Sequence, residues 1–400
     1  MDARYEARKQ ELLEECDVAR QVFDRVMPRL ERFMEPFVES FGRKEQVQHA
    51  RTFVQGLLSD LERKNTESIA YRFGQERMPL QWFMGVSDWD DHALRSELVR
   101  QVGQTLGEPD GVIVFDPSAF PKSGKASVGV ARQWCGRLGK VDNCQVAVYM
   151  GYASRREHAL VDVRLYLPKE WTTDRTRRVK AGIPKGIRYR TRHRLCLEML
   201  SEHGEQLPHQ WIAGDDEMGR PYWFRKRLDH LSEHYLLSVS SNTLIRDLEV
   251  DPPASSGRGR PPKRPWTRVD RWTASQDEAG WTAIDVRDGA KGPLVVEVLK
   301  RRVVARTQKR QEGHDEVLVV IRDKDRDDQS VVKTDYYLSN AAADTELAEF
   351  ARVAKAEHRI EECLQRSKSE AGLADYEVRN WKGWHHHQTL ALIATWFLVT

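Results

Sequence analysis

The apolar residues of the first hundred positions fall at helical intervals. Leu12, Leu13, Val18, Val22, Phe23, Val26 and Met27 form one such series. Val47–Leu61 and Gln81–Val86 suggest two further helices, and Asp91 stands where a cap would precede His92–Leu106. Between them, Asn65–Gly74 is short, small and polar, which suits a helix-turn-helix as well as an ordinary helical bundle. Residues 1–106 therefore read as an all-α N-terminal domain.

From Gly111 the period shortens. Gly111–Phe115 (GVIVF) predicts a buried strand ending at Asp116, and Gln145–Tyr149 and Ala159–Leu167 predict two more, joined by a hairpin turn through Ser154–His158. A helix over Arg188–His203, a strand at Trp211–Ala213 ending at Asp215, a helix at Tyr222–His230 and a strand at Tyr235–Val239 follow. This alternation defines an α/β class over 107–240. It also sets two carboxylates, Asp116 and Asp215, at the carboxyl ends of apolar strands, where ligands bind in open α/β sheets.

Asp251–Pro265 is rich in Pro, Gly and Arg and reads as a loop or arm. Strand-like runs come after it at Thr282–Val286, Leu294–Leu299, Arg302–Ala305, Val317–Ile321 and Tyr336–Leu338, so 241–344 reads as a β-rich insertion. Helices resume over 345–400: one from Thr345 to about Ala371, stopped by Gly372, and a last one over His386–Val399.

Composition narrows the class only partly. The chain has 64 basic and 61 acidic residues, so the formal charge of +3 does not by itself indicate nucleic acid. Five Cys are scattered without a CxxC pair, which gives no support to a zinc knuckle or a disulfide framework. The charged N-terminus is unlike a signal peptide, and no apolar run is long enough to span a bilayer. A cytoplasmic protein is expected.

Strand-end Asp116, strand-end Asp215 and helix-borne Glu361 form a candidate set of hard oxygen ligands for Mg²⁺. On the residues alone, a helix cap or a surface ion pair is the better account of each. The surrounding motifs select among these readings. Phe115-Asp-Pro-Ser-Ala-Phe-Pro-Lys-Ser-Gly124 resembles the first catalytic motif of insertion-sequence transposases, and Ser127–Gln145 resembles the group named after insertion sequence 701. Trp211-Ile-Ala-Gly-Asp-Asp-Glu-Met-Gly219 resembles the second motif and selects Asp215 over Asp216. Arg359-Ile-Glu-Glu-Cys-Leu-Gln-Arg-Ser-Lys368 resembles the third and selects Glu361 over Glu362, with Lys368 as its basic partner. Seven residues are about two helical turns, so Glu361 and Lys368 share a face.

The resemblance implies a bacterial DDE transposase, related to the insertion sequence 4 type, with an RNase H-like catalytic core. Asp116, Asp215 and Glu361 would then hold two Mg²⁺ ions, with Mn²⁺ as a substitute, and Lys368 would hold a DNA phosphate. The implied partners are double-stranded DNA at transposon ends and target, and a second copy of the chain, as a homodimer on paired ends near the nucleoid. The 146 residues from Asp215 to Glu361 fit such a core only with an inserted domain. Insertion sequence 4 relatives carry Tyr and Arg seven and four residues before the catalytic Glu. Here Ala354 and Glu357 stand there, a departure that bears on DNA hairpin formation and leaves the acidic trio intact. The alternative is a transposase-derived DNA-binding protein that no longer cuts.

Basic residues supply the expected phosphate contacts. Residues 175–194 contain many cations and no carboxylate, and Arg177, Arg178, Lys180, Arg188, Arg190 and Arg192 are taken from them. Arg258, Arg260, Lys263 and Arg264 come from the Pro/Gly arm, and Lys122 and Arg359 from the first and third motifs. Trp266, Trp272 and Trp281 are expected in the core of the insertion. His385, His386 and His387 are adjacent on a helix, point in different directions and read as packing rather than metal ligands.

Overall fold

The computed structural model describes residues 10, 24–254, 262–289, 292–325 and 330–400. The chain forms two compact units, one of Gln210–Glu357 and a larger one of Gln21–His209 with His358–Thr400. Both mix helices with strands. Among the described residues, no helix is long and apolar enough to cross a membrane.

The larger unit opens with α1 (Val26–Val38), α2 (Lys44–Leu57), α3 (Thr66–Arg72), α4 (Arg77–Gly85) and α5 (Asp91–Leu106). The expected apolar series from Leu12 to Phe23 lies outside the described residues. Asn65 caps α3, its side chain accepting from the Ser68 amide at 2.8 Å. Asp90, rather than Asp91, caps α5, accepting from the His92 amide at 2.9 Å, because Asp90 keeps extended backbone while Asp91 is already helical.

The unit's sheet contains β1 (Val112–Pro121), β2 (Ala131–Cys135), β3 (Lys140–Ala153) and β4 (His158–Leu165). β1 lies antiparallel to β3 with Asp116 opposite Tyr149, and the pairing continues to Pro121 opposite Cys144. The strand therefore runs through Asp116 instead of stopping there. β2 pairs with the start of β3 and β4 with its end. Sequence periodicity misses β2, because its exposed positions are Arg132 and Trp134 and its apolar and polar residues do not alternate with burial. α6 (Lys169–Thr173), α7 (Arg175–Lys180) and α8 (Arg192–His203) follow. α8 starts four residues later than its apolar pattern suggests, because Thr191 caps it by accepting from the Arg194 amide at 3.3 Å.

The smaller unit contains β5 (Trp211–Gly214), α9 (Asp216–Gly219), α10 (Tyr222–His230), β6 (His234–Ser238), β7 (Leu244–Asp247), β8 (Thr267–Arg268), α11 (Val269–Ala274), β9 (Thr282–Gly289), β10 (Gly292–Arg306), β11 (Glu312–Lys324) and β12 (Val331–Ser339). Its strands run in the order β5-β6-β12-β11-β10-β7-β8, with β9 on β10. Only β5 and β6 are parallel among the registered pairs. Because β12 pairs with β6, the strand-rich stretch continues the sheet that carries β5. The runs expected at Leu294–Leu299 and Arg302–Ala305 form one strand, since pairing with β11 carries the chain across Lys300 and Arg301. Val269, Trp272, Val303, Leu318 and Leu338 build the core there, with Trp281 packed against it.

α12 (Leu347–Ser369) starts in the smaller unit and ends in the larger. Gly372 follows it at φ +60°, the left-handed conformation that terminates helices. α13 (Trp381–Phe397) is buried on every side from Gly383 onward, as expected of a helix with no polar face. It packs against β4, α2, α4 and α5, which ties the N-terminal helices to the sheet.

Candidate active site

Within the larger unit, Asp116 sits at mid-strand on β1, half-buried, with fully buried Phe115 before it. The C-terminal half of α12 lies over the neighbouring strands. Gly151 on β3 makes that approach possible, because a Cβ there would stand 2.6 Å from Ile360 Cδ1. Arg359 anchors the helix to the β3–β4 turn, donating to the carbonyls of Ser154 at 2.6 Å and Arg156 at 2.5 Å.

This packing brings Lys368 to β1. Its Nζ donates to Ser118 Oγ at 2.8 Å and lies 5.6 Å from the centre of the Phe120 ring. Burial pulls the Lys368 ammonium below its ordinary range, and the charge of Asp116 opposes that shift. Asp116, Ser118 and Lys368 thus form one electrostatic group. Glu361, seven residues earlier on α12, is exposed, and His358 Nδ1 lies 3.4 Å from its carboxylate. His358 Nε2 also lies 3.3 Å from Glu362. Ser118 belongs to the first quoted motif, but its contact with Lys368 could be assigned only once helix and strand were packed; His358 directly precedes the third motif and meets Glu361 along the same helix.

Asp215 belongs to the smaller unit. It ends β5 and caps α9, Oδ1 accepting from the Met218 amide at 3.0 Å. Burial pushes its acid up to about 7, the charges of Glu217 and Asp216 push the same way, and the Met218 amide opposes them. A carboxylate held so uncomfortably is one that a bound cation would favour. The donor chemistry of Asp116, Asp215 and Glu361 suits Mg²⁺, which prefers carboxylate oxygen. Among the described residues, no three His, Cys, Asp or Glu side chains gather closely enough to hold a metal ion by themselves.

Most of the expected phosphate-binding cations have partners inside their own unit. Lys122 Nζ lies 3.6 Å from the Tyr376 ring centre and 3.3 Å from the Tyr376 carbonyl, and burial pulls its pKa down to about 8. Arg177 lies 3.7 Å above the Trp171 ring, and Arg178 donates to the carbonyls of Pro184 and Ile187. Arg190 pairs with Glu198 at 2.6 Å, Arg192 lies 4.9 Å from the Tyr166 ring centre, and Lys263 pairs with Glu312 at 3.0 Å. Arg264 donates to the Val250 carbonyl at 2.6 Å. Lys180 and Arg188 are exposed. Arg258 and Arg260 lie outside the described residues.

The three adjacent histidines are buried in separate directions. His385 Nδ1 is 2.9 Å from the Trp381 carbonyl, His386 Nδ1 is 3.0 Å from that of Met84, and His387 Nε2 is 3.0 Å from that of Gly372. His386 also stacks on Trp89 at 3.6 Å. They join helices to one another and do not converge.

The larger unit thus holds an acidic strand residue beside a basic residue of a packed helix, and the smaller unit holds an acidic strand end. The profile of the DDE superfamily endonucleases matches residues 36–293, and the chain belongs to that superfamily. The match includes Asp116 and Asp215 and ends before Glu361. The chain is also similar to the probable transposase for insertion sequence element IS701 of Microchaete diplosiphon, at 28% identity over 200 residues. Those residues are 48% of this chain and 49% of that protein, so the match spans about half the relative's length.

Proposed function

We propose that the protein is a transposase that cuts DNA at transposon terminal inverted repeats and joins the freed 3′-hydroxyl ends to target DNA. Membership of the DDE superfamily and likeness to a transposase support the reading. The observation that carries it to particular residues is Lys368 held against Ser118 beside Asp116. In this reading Asp116, Asp215 and Glu361 are the metal ligands of an RNase H-like core, and the protein acts as a homodimer on paired ends.

A pair of Mg²⁺ ions bound by these carboxylates would supply activation of the attacking oxygen and stabilisation of the leaving oxygen. The chain's own residues then position the DNA. The Lys368 ammonium, fixed by the Ser118 hydroxyl, holds a backbone phosphate next to Asp116. Ile360 on Gly151 and Arg359 on the β3–β4 turn set the height and direction of the helix that carries Glu361. Asp215 is held in place by the Met218 amide.

Mn²⁺ titration followed by electron paramagnetic resonance tests the ligand assignment. Tight Mn²⁺ binding by the wild type, reduced at least tenfold by Asp116→Asn and by Asp215→Asn, is expected. Equal binding by all three proteins would remove these carboxylates from the metal site.

A further inference from the structure

A second concave surface lies in the smaller unit, and none of its lining residues is among the cations chosen from the sequence. It is a cavity of about 570 Å³ bounded by the residues after β6, the β10–β11 turn and the segment following α9. Arg220, Arg306 and Arg310 line it, together with the polar groups of Ser240, Thr243 and Gln308. No carboxylate is among its described lining residues. Two of the lining cations are already balanced: Arg225 by buried Glu316 at 2.7 Å and Arg220 by Asp216 at 2.8 Å, which leaves Arg306 and Arg310.

The cavity is rigidly built. Gln308 Nε2 donates to the Arg220 carbonyl at 2.6 Å, and Gln308 Oε1 accepts from the Tyr222 amide at 3.3 Å, clamping the β10–β11 turn to the start of α10. Within the turn, the Arg310 amide donates to the Thr307 carbonyl at 2.9 Å and the Gln311 amide to Thr307 Oγ1 at 3.1 Å. Arg310 occupies the left-handed region at φ +60°, a turn position that favours glycine. A long cationic side chain at a strained position gains nothing locally that glycine would not supply. Nor does Arg306 or Arg310 pair with a carboxylate among the described residues, and the Nε of Arg306 is shielded from solvent without a hydrogen-bond acceptor. Two guanidinium groups such as those of Arg306 and Arg310, gathered without an acid partner, repel one another and are stabilised by an anion.

The location gives the anion its identity. Arg220 follows α9, and α9 is the single helical turn capped by Asp215, so about 6 Å of helix rise separates the carboxylate from the cavity's edge. We propose that Arg306 and Arg310, in the cavity whose edge Arg220 marks, form a phosphate-binding cradle that grips the backbone of the DNA strand beside Asp215. The inference rests on the DNA-cutting reading and adds a contact region that none of the motifs contains. Arg306 and Arg310 are positioning residues: each takes one phosphate, and the hydroxyls of Ser240 and Thr243 supply neutral donors.

The test is binding of the full-length protein to a linear duplex by fluorescence anisotropy, with EDTA present and salt varied. The variants are Arg306→Ala, Arg310→Gly and, as a control of equal charge change, Arg302→Ala, whose guanidinium pairs with Asp315 at 3.0 Å. Arg310→Gly relieves the left-handed backbone, so it should unfold no earlier than the wild type. Each cradle variant should lower the slope of log affinity against log salt by about 0.9 and weaken binding about eightfold at 0.1 M salt. The control should leave both unchanged. An unaltered slope in Arg306→Ala and Arg310→Gly, with wild-type affinity, overturns the cradle and leaves DNA cutting untouched. A wild type that binds no duplex overturns the cradle and the DNA-cutting reading together.

Discussion

Ile360 rests on Gly151, with its Cδ1 2.6 Å from where a Cβ on that residue would stand. The contact joins the helix bearing Glu361 and Lys368 to the strand beside Asp116. Gly151→Ala should force helix and strand apart, costing about 1–3 kcal/mol of stability and lowering DNA cleavage more than it lowers DNA binding. Ile360→Ala in the same chain should restore part of both by making room. Thermal unfolding and a cleavage assay on the single and double variants read this directly. Additive losses would show that the contact does not set the helix position.

A buried charge cluster holds α5 to β4. Arg95 Nε lies 2.8 Å from Asp162, Arg164 lies 3.0 Å from the same carboxylate, and Arg95 also donates to Thr389 on α13 at 2.9 Å. Burial alone would raise the Asp162 acid, but Arg164, His203 and Arg95 outweigh it and hold the pKa well below the usual carboxylate range. Arg95→Ala strands Asp162 with part of its compensation gone and should cost on the order of 3 kcal/mol. The denaturation midpoint should fall accordingly. In Arg95→Met with Asp162→Leu, the loss should be smaller than the sum of the single changes.

Acid should destabilise the fold through α13. Burial pushes His385, His386 and His387 down to about 4 from an ordinary value of 6.5, with Asp91 opposing the shift for the first two. Between these values the unfolded chain binds more protons than the folded one. Their stabilising contribution is therefore complete above about pH 6.5 and declines as pH falls toward 4, on the order of 3 kcal/mol per histidine at the limit. Urea midpoints should drop from pH 7.5 to 5, and His387→Gln should flatten the decline. Midpoints that stay constant across that range would contradict the assignment.

Much of the architecture was legible in periodicity. Tyr222–His230 is helical over the range its pattern marks, and Gly372 ends the long helix in the left-handed conformation. Periodicity identifies a buried face without naming what covers it. For that reason the apolar series of α2, α4 and α5 suggested a separate N-terminal bundle, whereas α13, almost 300 residues after α5, supplies their packing surface. The run through Arg177 and Arg178 looked like free phosphate ligands because charge density in a sequence does not show Trp171 beneath one guanidinium or the Pro184 carbonyl beside the other. The pairing of Lys368 with Ser118 spans 250 residues and needs the packed helix to appear. The arginine-lined cavity draws on residues 220, 240–243 and 306–310, which no local motif unites.

The most direct measurement is cleavage in Mg²⁺ of a DNA carrying the element's own flanking end sequence, by the wild type and by Asp215→Ala. Cutting at the repeat boundary by the wild type, reduced at least a hundredfold in Asp215→Ala while end binding persists, is the predicted result. End binding by both proteins with no cleavage by either, in Mg²⁺ or Mn²⁺, would contradict the account and leave a DNA-binding protein that does not cut.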